Sequence, residues 1–429
     1  MLCAEKRIIA YSDADHEMKA FVEAYGCTLN FGESREIEDL LASRGWEIVD
    51  SPDQCDLAVL ATCVVIETTE RAMLKRIREL SDVPKLVVTG CMATACRDKA
   101  ERIAPKALFV APGELGSFSE LTEPENARMA TGKVEREGYG IVPIASGCLG
   151  SCAYCITRIA RGQLKSRPLS KTVESVRAMV SDRPREIQLT AQDTAAYGTD
   201  IGTDLPSLVQ EICNIPHDFR LRIGMMNPKS ALPLVEEISE MYLEPKVFKF
   251  LHLPIQSASD RLLKDMERGY TLDEYSSIVE KVREKNPDVT LSTDIIVGYP
   301  AESLEDHRLN LDFISDLRPD IVNVTRFSAR PGTKAAVSKP QVVGWRAKDR
   351  SREITELRFK IALEKNNSLV GRRLRALSTE RGKSGSTILR TDEYKQVVVH
   401  SDLELGTYYN LEITGATPTY LTGRTDGAQ

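Results

Sequence analysis

A regular alternation of short apolar runs and helical segments between residues 170 and 327 most constrains the fold of this chain. Buried strands are predicted at residues 186–190, 220–225, 247–253, 289–297 and 320–327. Helical periodicity lies around and between them, at residues 170–181, 207–214, 232–241, 259–266, 272–285 and 303–316. Strands that alternate with helices pair in parallel, so five or six such units predict an open or partial (β/α) barrel. Its functional groups are expected at the carboxyl ends of the strands.

The first hundred residues repeat this alternation on a smaller scale. Strands are predicted at residues 6–11, 57–62, 86–89 and 107–111, and helices at residues 34–44 and 67–80. This spacing predicts an α/β domain with a small, doubly wound parallel sheet. The following residues, 113–140, mix Gly, Pro and Glu with little periodicity and are predicted to be a linker.

The pattern changes after the barrel. A charged helix is predicted at residues 346–366, and Ile354, Leu357 and Ile361 share the face that packs back onto the barrel. From residue 371, short alternating strands separated by Gly and Ser predict a small all-β module. The predicted domains are therefore residues 1–125, 138–366 and 367–429.

The predicted β module carries local positive charge within an acidic chain. Its basic residues are Arg372, Arg373, Arg375, Arg381, Lys383, Arg390 and Lys395. Such charge is commonly just a solvated face. A compact β module with basic strands and loops is also a frequent RNA-binding appendage, and both interpretations stay open.

Composition indicates a multidomain globular protein in a reducing compartment. The 429 residues have a net charge of −6, which argues only weakly against a nucleic-acid partner because a local basic face can exist in an acidic chain. No apolar run is long enough for a membrane span and no signal-peptide pattern follows Met1, so we expect a cytosolic protein without a membrane partner. Ten cysteines in such a chain indicate metal or redox chemistry rather than disulfides.

Three of those cysteines, Cys148, Cys152 and Cys155, have C-x3-C-x2-C spacing. A loop that folds back at this spacing brings its thiolates to one side, where they can bind a soft metal centre. A cubane iron–sulfur cluster has four irons, so three cysteines leave one iron free to bind something else. The motif therefore predicts a cluster with an open coordination site.

A second set, Cys27, Cys63 and Cys91, is dispersed over the first domain. Cys63 and Cys91 each follow an apolar strand directly. Because neighbouring parallel strands end at one edge of a sheet, the three cysteines could meet there and hold another cluster. The alternative is three buried free thiols, which is a common state of cysteine.

Polar residues also follow the predicted barrel strands. They are Gln192, Asp193, Asn227, His252, Gln256 and Asp294. A lone histidine such as His252 is ordinarily a satisfied core residue. The recurrence of polar residues at equivalent strand ends favours a pocket lining instead.

Over nearly its whole length the chain resembles the radical S-adenosylmethionine methylthiotransferases. The motifs that carry the resemblance are YGCTLN, ATC, TGCM, CLGSCAYC, LTAQDTAAYG, LHLPIQSASDRLLKDMERGYT and TDIIVGYPAES. The segment CITRIARG after the cluster motif looks like the archaeal and eukaryotic branch that acts on N6-threonylcarbamoyladenosine in tRNA. Ala61 stands where many relatives have asparagine, which leaves the cysteine ligand unaffected.

The resemblance implies a fold, two clusters and a reaction. It implies an N-terminal methylthiotransferase domain, a central partial radical barrel and a C-terminal TRAM-like module that grips tRNA. Cys148, Cys152 and Cys155 would hold a [4Fe–4S] cluster that binds S-adenosylmethionine and generates a 5′-deoxyadenosyl radical. Cys27, Cys63 and Cys91 would hold an auxiliary [4Fe–4S] cluster that carries sulfide or polysulfide, methylated by one S-adenosylmethionine. A second S-adenosylmethionine would then activate C2 of adenosine 37, in an anticodon loop where a base can be splayed out.

Further residues and partners follow from the same resemblance. Tyr154 would lie against the adenine of the cofactor or pack beneath the loop, and the two roles are compatible. Candidate contacts to cofactor or substrate are Gln192, Asp193, Arg222, His252 and Gln256. A sulfur donor and a low-potential electron donor of flavodoxin or ferredoxin type are implied. The remaining thiols, Cys3, Cys55, Cys96 and Cys213, match no ligand position and are interpreted as structural, with Cys96 close enough in sequence to Cys91 to act as an adventitious ligand.

Other functions remain open at this point. Within the family, the substrate could be isopentenyladenosine in tRNA or an aspartate of a ribosomal protein. A different class would be a noncatalytic iron–sulfur protein that binds RNA or transfers electrons, but such a protein has no need of an open cluster site.

Overall fold

The computed structural model describes residues 18–114, Phe118, 138–181 and 185–425, together with the backbone of the short strands Arg7–Ile8 and Glu135–Arg136. Cys3 and most of the predicted strand 6–11 and linker 113–140 lie outside the described residues. Within the described part of the chain, no helix is both long and apolar enough to cross a membrane.

Strands are numbered β1 to β20 in chain order. Those preceding the cluster motif are β1 Arg7–Ile8, β2 Lys19–Ala24, β3 Glu47–Val49, β4 Leu57–Thr62, β5 Lys85–Gly90, β6 Leu108–Phe109, β7 Glu135–Arg136, β8 Gly140–Pro143 and β9 Ala145–Ser146. Those in and after the barrel are β10 Lys165–Ser166, β11 Glu186–Thr190, β12 Arg220–Ile223, β13 Phe250–His252, β14 Thr290–Val297, β15 Ile321–Arg326, β16 Arg373–Arg381, β17 Thr387–Thr391, β18 Gln396–Val399, β19 Tyr408–Ala416 and β20 Leu421–Thr425.

The helices are cited by their bounds. The longer ones are Thr28–Ser43, Glu67–Glu79, Leu169–Val180, Leu205–Cys213, Leu272–Lys285, Leu304–Leu317 and Gly344–Asn367. The shorter ones are Met92–Ala95, Arg97–Glu101, Ile156–Arg161, Pro228–Ala231, Val235–Met241, Asp260–Asp265 and Lys334–Val337.

The first domain is the predicted doubly wound α/β unit. Its parallel strands pair in the order β3-β2-β4-β5-β6. Alternate residues of each strand enter different cores: Ala20 and Val59 pack on the face of helix Thr28–Ser43, whereas Phe21 and Leu60 pack on the face of helix Glu67–Glu79. Both faces of the sheet are covered, which explains the continuous apolar runs.

Sequence patterns missed two strands of this sheet and misplaced one helix start. Strand β2 contains the charged residues Lys19 and Glu23, and β3 has only three residues, so neither shows a long apolar run. The predicted helix 34–44 begins six residues earlier, at Thr28. A side-chain Cβ at Gly32 would lie 2.8 Å from Ile141, so this glycine is required where the helix crosses β8.

The second domain is the predicted partial (β/α) barrel. Two parallel sheets, β8-β11-β12 and β13-β14-β15, are joined by a parallel bridge between Leu221 and Val247. The six strands follow chain order, as in a β/α barrel that is left open. Strand β8 was not predicted, because its short sequence GIVP ends in proline and resembles a loop.

The last segments also follow the predicted classes. In helix Gly344–Asn367, Ile354 and Ile361 are buried and Leu357 packs against the barrel core. Strands β16, β17, β18, β20 and β19 close into a small barrel. Its final strand, β20, was not predicted.

A turn of this small barrel inserts into the amino-terminal end of the large one. The Tyr394 ring lies 4.9 Å from Phe248 and 4.8 Å from Phe250, and its hydroxyl donates to Glu186 Oε1 at 2.6 Å. Lys395 pairs with Asp320 at 2.6 Å, and Arg390 stacks over Tyr394 at 4.8 Å. Arg390 and Lys395, two of the seven basic residues of this module, therefore lie in the contact between the two barrels.

Candidate functional site

The cluster motif lies on a loop at the carboxyl edge of the barrel strands, after β9 and before helix Ile156–Arg161. The amide of Gly150 donates to Cys148 Sγ at 3.2 Å. A Cβ placed at Gly150 would be 3.3 Å from Cys148 Sγ and 3.8 Å from Cys152 Sγ, so both sulfurs border this glycine. The backbone therefore turns the first two thiols of the motif towards one another.

Arg268, from a distant segment of the chain, forms hydrogen bonds with the cluster loop. Arg268 is 7% exposed, and its Nη1 donates to Cys152 Sγ at 3.1 Å and to the Tyr154 hydroxyl at 3.4 Å. Its Nε donates to the Tyr270 hydroxyl at 3.0 Å. The buried guanidinium therefore fixes Cys152 and Tyr154 within the cluster loop. Tyr154 meets Tyr299 edge to face at 6.4 Å, which is the packing role predicted for it.

The residues after β11 and β12 line the same edge. Asp193 is buried, and it accepts from the Asn227 amide at 2.9 Å and the Ser230 hydroxyl at 2.7 Å. Burial raises the pKa of Asp193, while these donors and Arg268 oppose the shift. The carboxylate thus holds the turn at Asn227 beside the cluster loop. The neighbouring Gln192 leaves a buried Oε1 without a partner among the described residues, so this acceptor is available to a ligand.

The barrel strands bring further polar groups together. His252 Nε2 lies 3.3 Å from both carboxylate oxygens of Asp294, which also accepts from Asn323 at 2.7 Å. Gln256 has a φ of 74° and its backbone bridges to β14, so the strand end is sharply turned there. The predicted residue Arg222 lies deeper, stacked over Phe250 at 5.0 Å and Tyr394 at 5.5 Å. Its guanidinium therefore faces the docked turn of the small barrel.

The second cysteine set meets at the carboxyl edge of the N-terminal sheet. Cys63 follows β4, Cys91 follows β5, and Cys27 precedes the helix that follows β2. Gly26 has a φ of +106°, and a Cβ there would lie 2.6 Å from Cys63 Cβ. Glycine is required at this position by both its backbone conformation and the close approach of Cys63. The sheet thus brings Cys27 next to Cys63.

Two uncharged polar residues organise the three cysteine loops. Asn30 Nδ2 donates to the carbonyls of Tyr25 at 2.7 Å and Thr62 at 2.8 Å. The hydroxyl of Thr62 donates to the carbonyl of Thr89 at 2.5 Å and accepts from the Met92 amide at 3.1 Å. The backbone around each of the three cysteines is therefore tied to the others through buried hydrogen bonds.

Arg161 links the two cysteine sets. It ends the helix that begins after Cys155, and its side chain is fully buried. The guanidinium donates to Glu33 at 2.6 and 2.8 Å and to Asn30 Oδ1 at 2.5 Å. Burial alone would lower the pKa of Arg161, but the paired carboxylate of Glu33 outweighs burial and raises it, so the group stays charged.

The same interface carries a second buried ion cluster. Arg330 follows β15 and pairs with Glu70, which also accepts from Lys99 at 2.5 Å. Cys96 lies beside Glu70, with its sulfur 3.9 Å from the carboxylate, rather than among the three cysteines. Cys55 and Cys96 pack in the core of the first domain and Cys213 packs against the barrel core. These thiols behave as packing residues.

The donor sets fit iron–sulfur clusters. Burial raises the pKa of Cys91 to about 12 and of Cys148 to about 11, so these thiols are protonated until a metal displaces the proton. Within the described ranges, no three Cys, His, Asp or Glu side chains converge closely enough to hold one metal ion. A cubane places each thiolate on a different iron and needs wider spacing. Arg161 Nε is buried without a partner among the described residues, which leaves one donor beside Cys91 for a cluster sulfur.

The sequence patterns did not single out Asn30, Thr62, Arg161 or Arg268. Each lies inside a segment that carried the family resemblance, within a few residues of a cysteine or the ERGY sequence. The only signal in the sequence was the short distance of these residues from a family motif. The partners of Arg161 and Arg268 lie in other segments, so their roles could not be predicted.

Two family models match the chain. The model described as Uncharacterized protein family UPF0004 covers residues 19–111, and the Radical SAM superfamily covers residues 142–314. These matches coincide with the N-terminal sheet and the open barrel.

Curated relatives resemble the chain over nearly its whole length. A probable threonylcarbamoyladenosine tRNA methylthiotransferase of Pyrococcus horikoshii is 38% identical over 426 residues, covering 95% of this chain and 99% of that protein. The threonylcarbamoyladenosine tRNA methylthiotransferase of Xenopus laevis is 31% identical over 411 residues, covering 90% of this chain and 72% of that protein. Among solved structures, the radical S-adenosylmethionine methyltransferase TsrM from Kitasatospora setae aligns with a TM-score of 0.55 at 16% identity, covering 75% of this chain and 77% of that one. This last likeness concerns the fold alone.

Proposed function

Since the chain belongs to the threonylcarbamoyladenosine tRNA methylthiotransferases, we propose that it inserts a methylthio group at C2 of N6-threonylcarbamoyladenosine 37 in tRNA. Its cofactors are two [4Fe–4S] clusters and S-adenosylmethionine. The observation that carries the proposal is the pair of three-cysteine sets, both at the carboxyl edges of parallel sheets and joined through Arg161. One set suits radical generation and the other suits sulfur delivery, which a methyltransferase or a simple electron carrier does not need together.

The chain's own residues divide this work. We assign Cys148, Cys152 and Cys155 to the radical cluster and Cys27, Cys63 and Cys91 to the auxiliary one. When bound, the first cluster supplies the radical and the second supplies the sulfur. Arg268 holds Cys152 in place in the cluster loop through the hydrogen bond to its sulfur. The other proposed contacts to cofactor or substrate are Tyr154, Gln192, Asp193, His252 and Gln256, whereas Arg222 faces the docked turn of the small barrel. Of these, Gln192 has a free buried acceptor, whereas Asp193 acts by positioning Asn227.

The wider setting follows from the same chemistry. We propose domain boundaries at residues 1–125, 138–366 and 367–429, with the last domain contacting tRNA. An anticodon loop as substrate implies a cytoplasmic enzyme. Radical generation requires a low-potential electron donor of flavodoxin or ferredoxin type, and each turnover consumes sulfur from a separate donor.

The nucleoside product tests the proposal. The protein, with clusters reconstituted anaerobically, is given S-adenosylmethionine, a reductant, sulfide and tRNA carrying threonylcarbamoyladenosine, and the digested nucleosides are analysed by mass spectrometry. We expect the 2-methylthio derivative to appear with 5′-deoxyadenosine. Methylthiolation of isopentenyladenosine instead, or of a ribosomal protein, would replace the proposed substrate. Absence of 5′-deoxyadenosine would favour a noncatalytic iron–sulfur protein.

Replacing Arg161 by glutamine tests the link between the cysteine sets. Loss of the guanidinium leaves Glu33 unpaired in a buried site, and breaking such a pair costs about 3–5 kcal/mol. We expect the auxiliary set to lose its cluster first, so that iron content falls from about eight towards about four per chain. Iron assay and electron paramagnetic resonance measure this change. Arg161→Lys keeps the charge and is the matched control, and full iron loading in Arg161→Gln would contradict the assignment.

A further inference from the structure

A rim segment, residues 334–348, crosses the carboxyl edge of the barrel. At one end the Ala335 amide donates to the carbonyl of Ala153 in the cluster loop at 2.9 Å. Further along, Ala301 donates to the carbonyl of Pro340 at 2.8 Å. A Cβ at Gly298, just after β14, would lie 2.6 Å from Ala347 Cβ. The rim segment is therefore fixed to the edge that carries the cluster loop.

Three apolar side chains of this segment are exposed to solvent and do not contribute to the core. Trp345 is 63% exposed, Val337 is 80% exposed and Val343 is 48% exposed. The chain has only one other tryptophan, Trp46, which is buried. A large aromatic side chain exposed on the barrel edge that carries the cluster loop indicates an interaction site.

The charge of the rim segment restricts the kind of partner. It contains four basic residues and no acidic residue. Lys334 pairs with Glu267 at 2.5 Å, while Lys339 and Lys348 are exposed. The Arg346 guanidinium lies over the Trp345 ring at 5.2 Å from its centroid. An exposed ring among cations, on a rigid rim, is the arrangement that proteins use to stack unpaired bases while cations contact phosphates.

We propose that the rim segment binds unpaired nucleotides flanking the modified adenosine, with Trp345 stacking on a base and its cations contacting the backbone. This inference rests on the proposed tRNA substrate. It adds a second RNA contact next to the cluster loop, apart from the C-terminal module. Because modification of a loop base requires that base to leave the stack, a protein ring near the site can replace the lost stacking.

Binding measurements test this inference. A labelled anticodon stem–loop RNA carrying threonylcarbamoyladenosine is titrated with the reconstituted full chain, alongside a fully paired RNA of equal length. We expect Trp345→Ala to weaken stem–loop binding about tenfold, in line with the loss of one stacked base, and to leave paired RNA unaffected. Trp345→Phe should recover part of the affinity. Intrinsic fluorescence of the unmodified chain should change on stem–loop binding, because Trp46 is buried.

Phe359 provides a matched control on the same helix. It is an exposed aromatic with Arg358 stacked at 4.4 Å, and it lies fourteen residues away, about 21 Å along the helix. Phe359→Ala should bind both RNAs normally. Equal stem–loop affinity in Trp345→Ala and the unmodified chain would overturn the inference, as would a Trp345 dependence seen only with an acidic electron-transfer protein or in self-association. If the wild-type chain methylthiolates the RNA and Trp345→Ala binds and methylthiolates it equally well, only this inference fails. If the unmodified chain binds no RNA, the proposed function fails with it.

Discussion

Replacing Cys27, Cys63 and Cys91 together by alanine will abolish methylthiolation while leaving 5′-deoxyadenosine formation intact. The three cysteines follow β2, β4 and β5 of the N-terminal sheet, whereas the Cys148 loop belongs to the barrel, so we expect their loss to remove sulfur delivery alone. Iron should fall from about eight to about four per chain, because one of two cubanes is lost. Iron assay, 5′-deoxyadenosine chromatography and nucleoside mass spectrometry measure the three effects on one preparation.

The converse variant separates the two cysteine sets. Alanine at Cys148, Cys152 and Cys155 should also halve the iron, but it should stop 5′-deoxyadenosine formation as well. Cys213→Ala is a suitable control, since this thiol packs against the barrel core away from both sets. An auxiliary-set variant that kept all its iron, or that still formed the methylthio product, would sink the two-cluster assignment.

Replacing Tyr394 by alanine will undock the C-terminal module from the barrel. The Tyr394 ring contacts Phe248, Phe250 and Arg222, and the hydroxyl is bonded to buried Glu186. Tyr394 is half-buried, so we expect its truncation to cost somewhat less than the roughly 3–5 kcal/mol of a fully buried aromatic residue. Hydrogen exchange of strands β16 to β20 measures the loss locally, which suits a multidomain chain that does not unfold in one step.

The matched variant is Tyr394→Phe, which keeps the ring and removes only the hydroxyl. Glu186 Oε1 retains a bond from Gln188 at 2.7 Å, so the expected cost is about 1 kcal/mol. A loss of equal size in both variants would show that the hydroxyl, rather than ring packing, holds the module. Undisturbed exchange in Tyr394→Ala would contradict the docking role itself.

Sequence patterns predicted the three architectures because each has a local periodicity. Strand β11 and helix Leu272–Lys285 match their predicted bounds, since an apolar run or an i, i+3, i+4 pattern is complete within each segment. Strands β3 and β8 were missed because they are too short to show a pattern. The basic residues Arg390 and Lys395 looked equivalent to the others in sequence but are engaged in the domain contact.

The sequence alone determined which chemistry is available. Cysteine spacing predicted one set of three ligands. The second set was implied by the family resemblance, because the position of cysteines at strand ends left buried free thiols as an alternative. Tertiary structure decided how these groups are supported. Arg161 meets Glu33 across 128 positions, Tyr394 meets Glu186 across 208, and Arg330 meets Glu70 across 260. Neither member of such a pair shows its partner locally, because burial and charge pairing arise only once separate segments have packed. The exposure of Trp345 on the rim segment likewise became visible only from the packing of the chain.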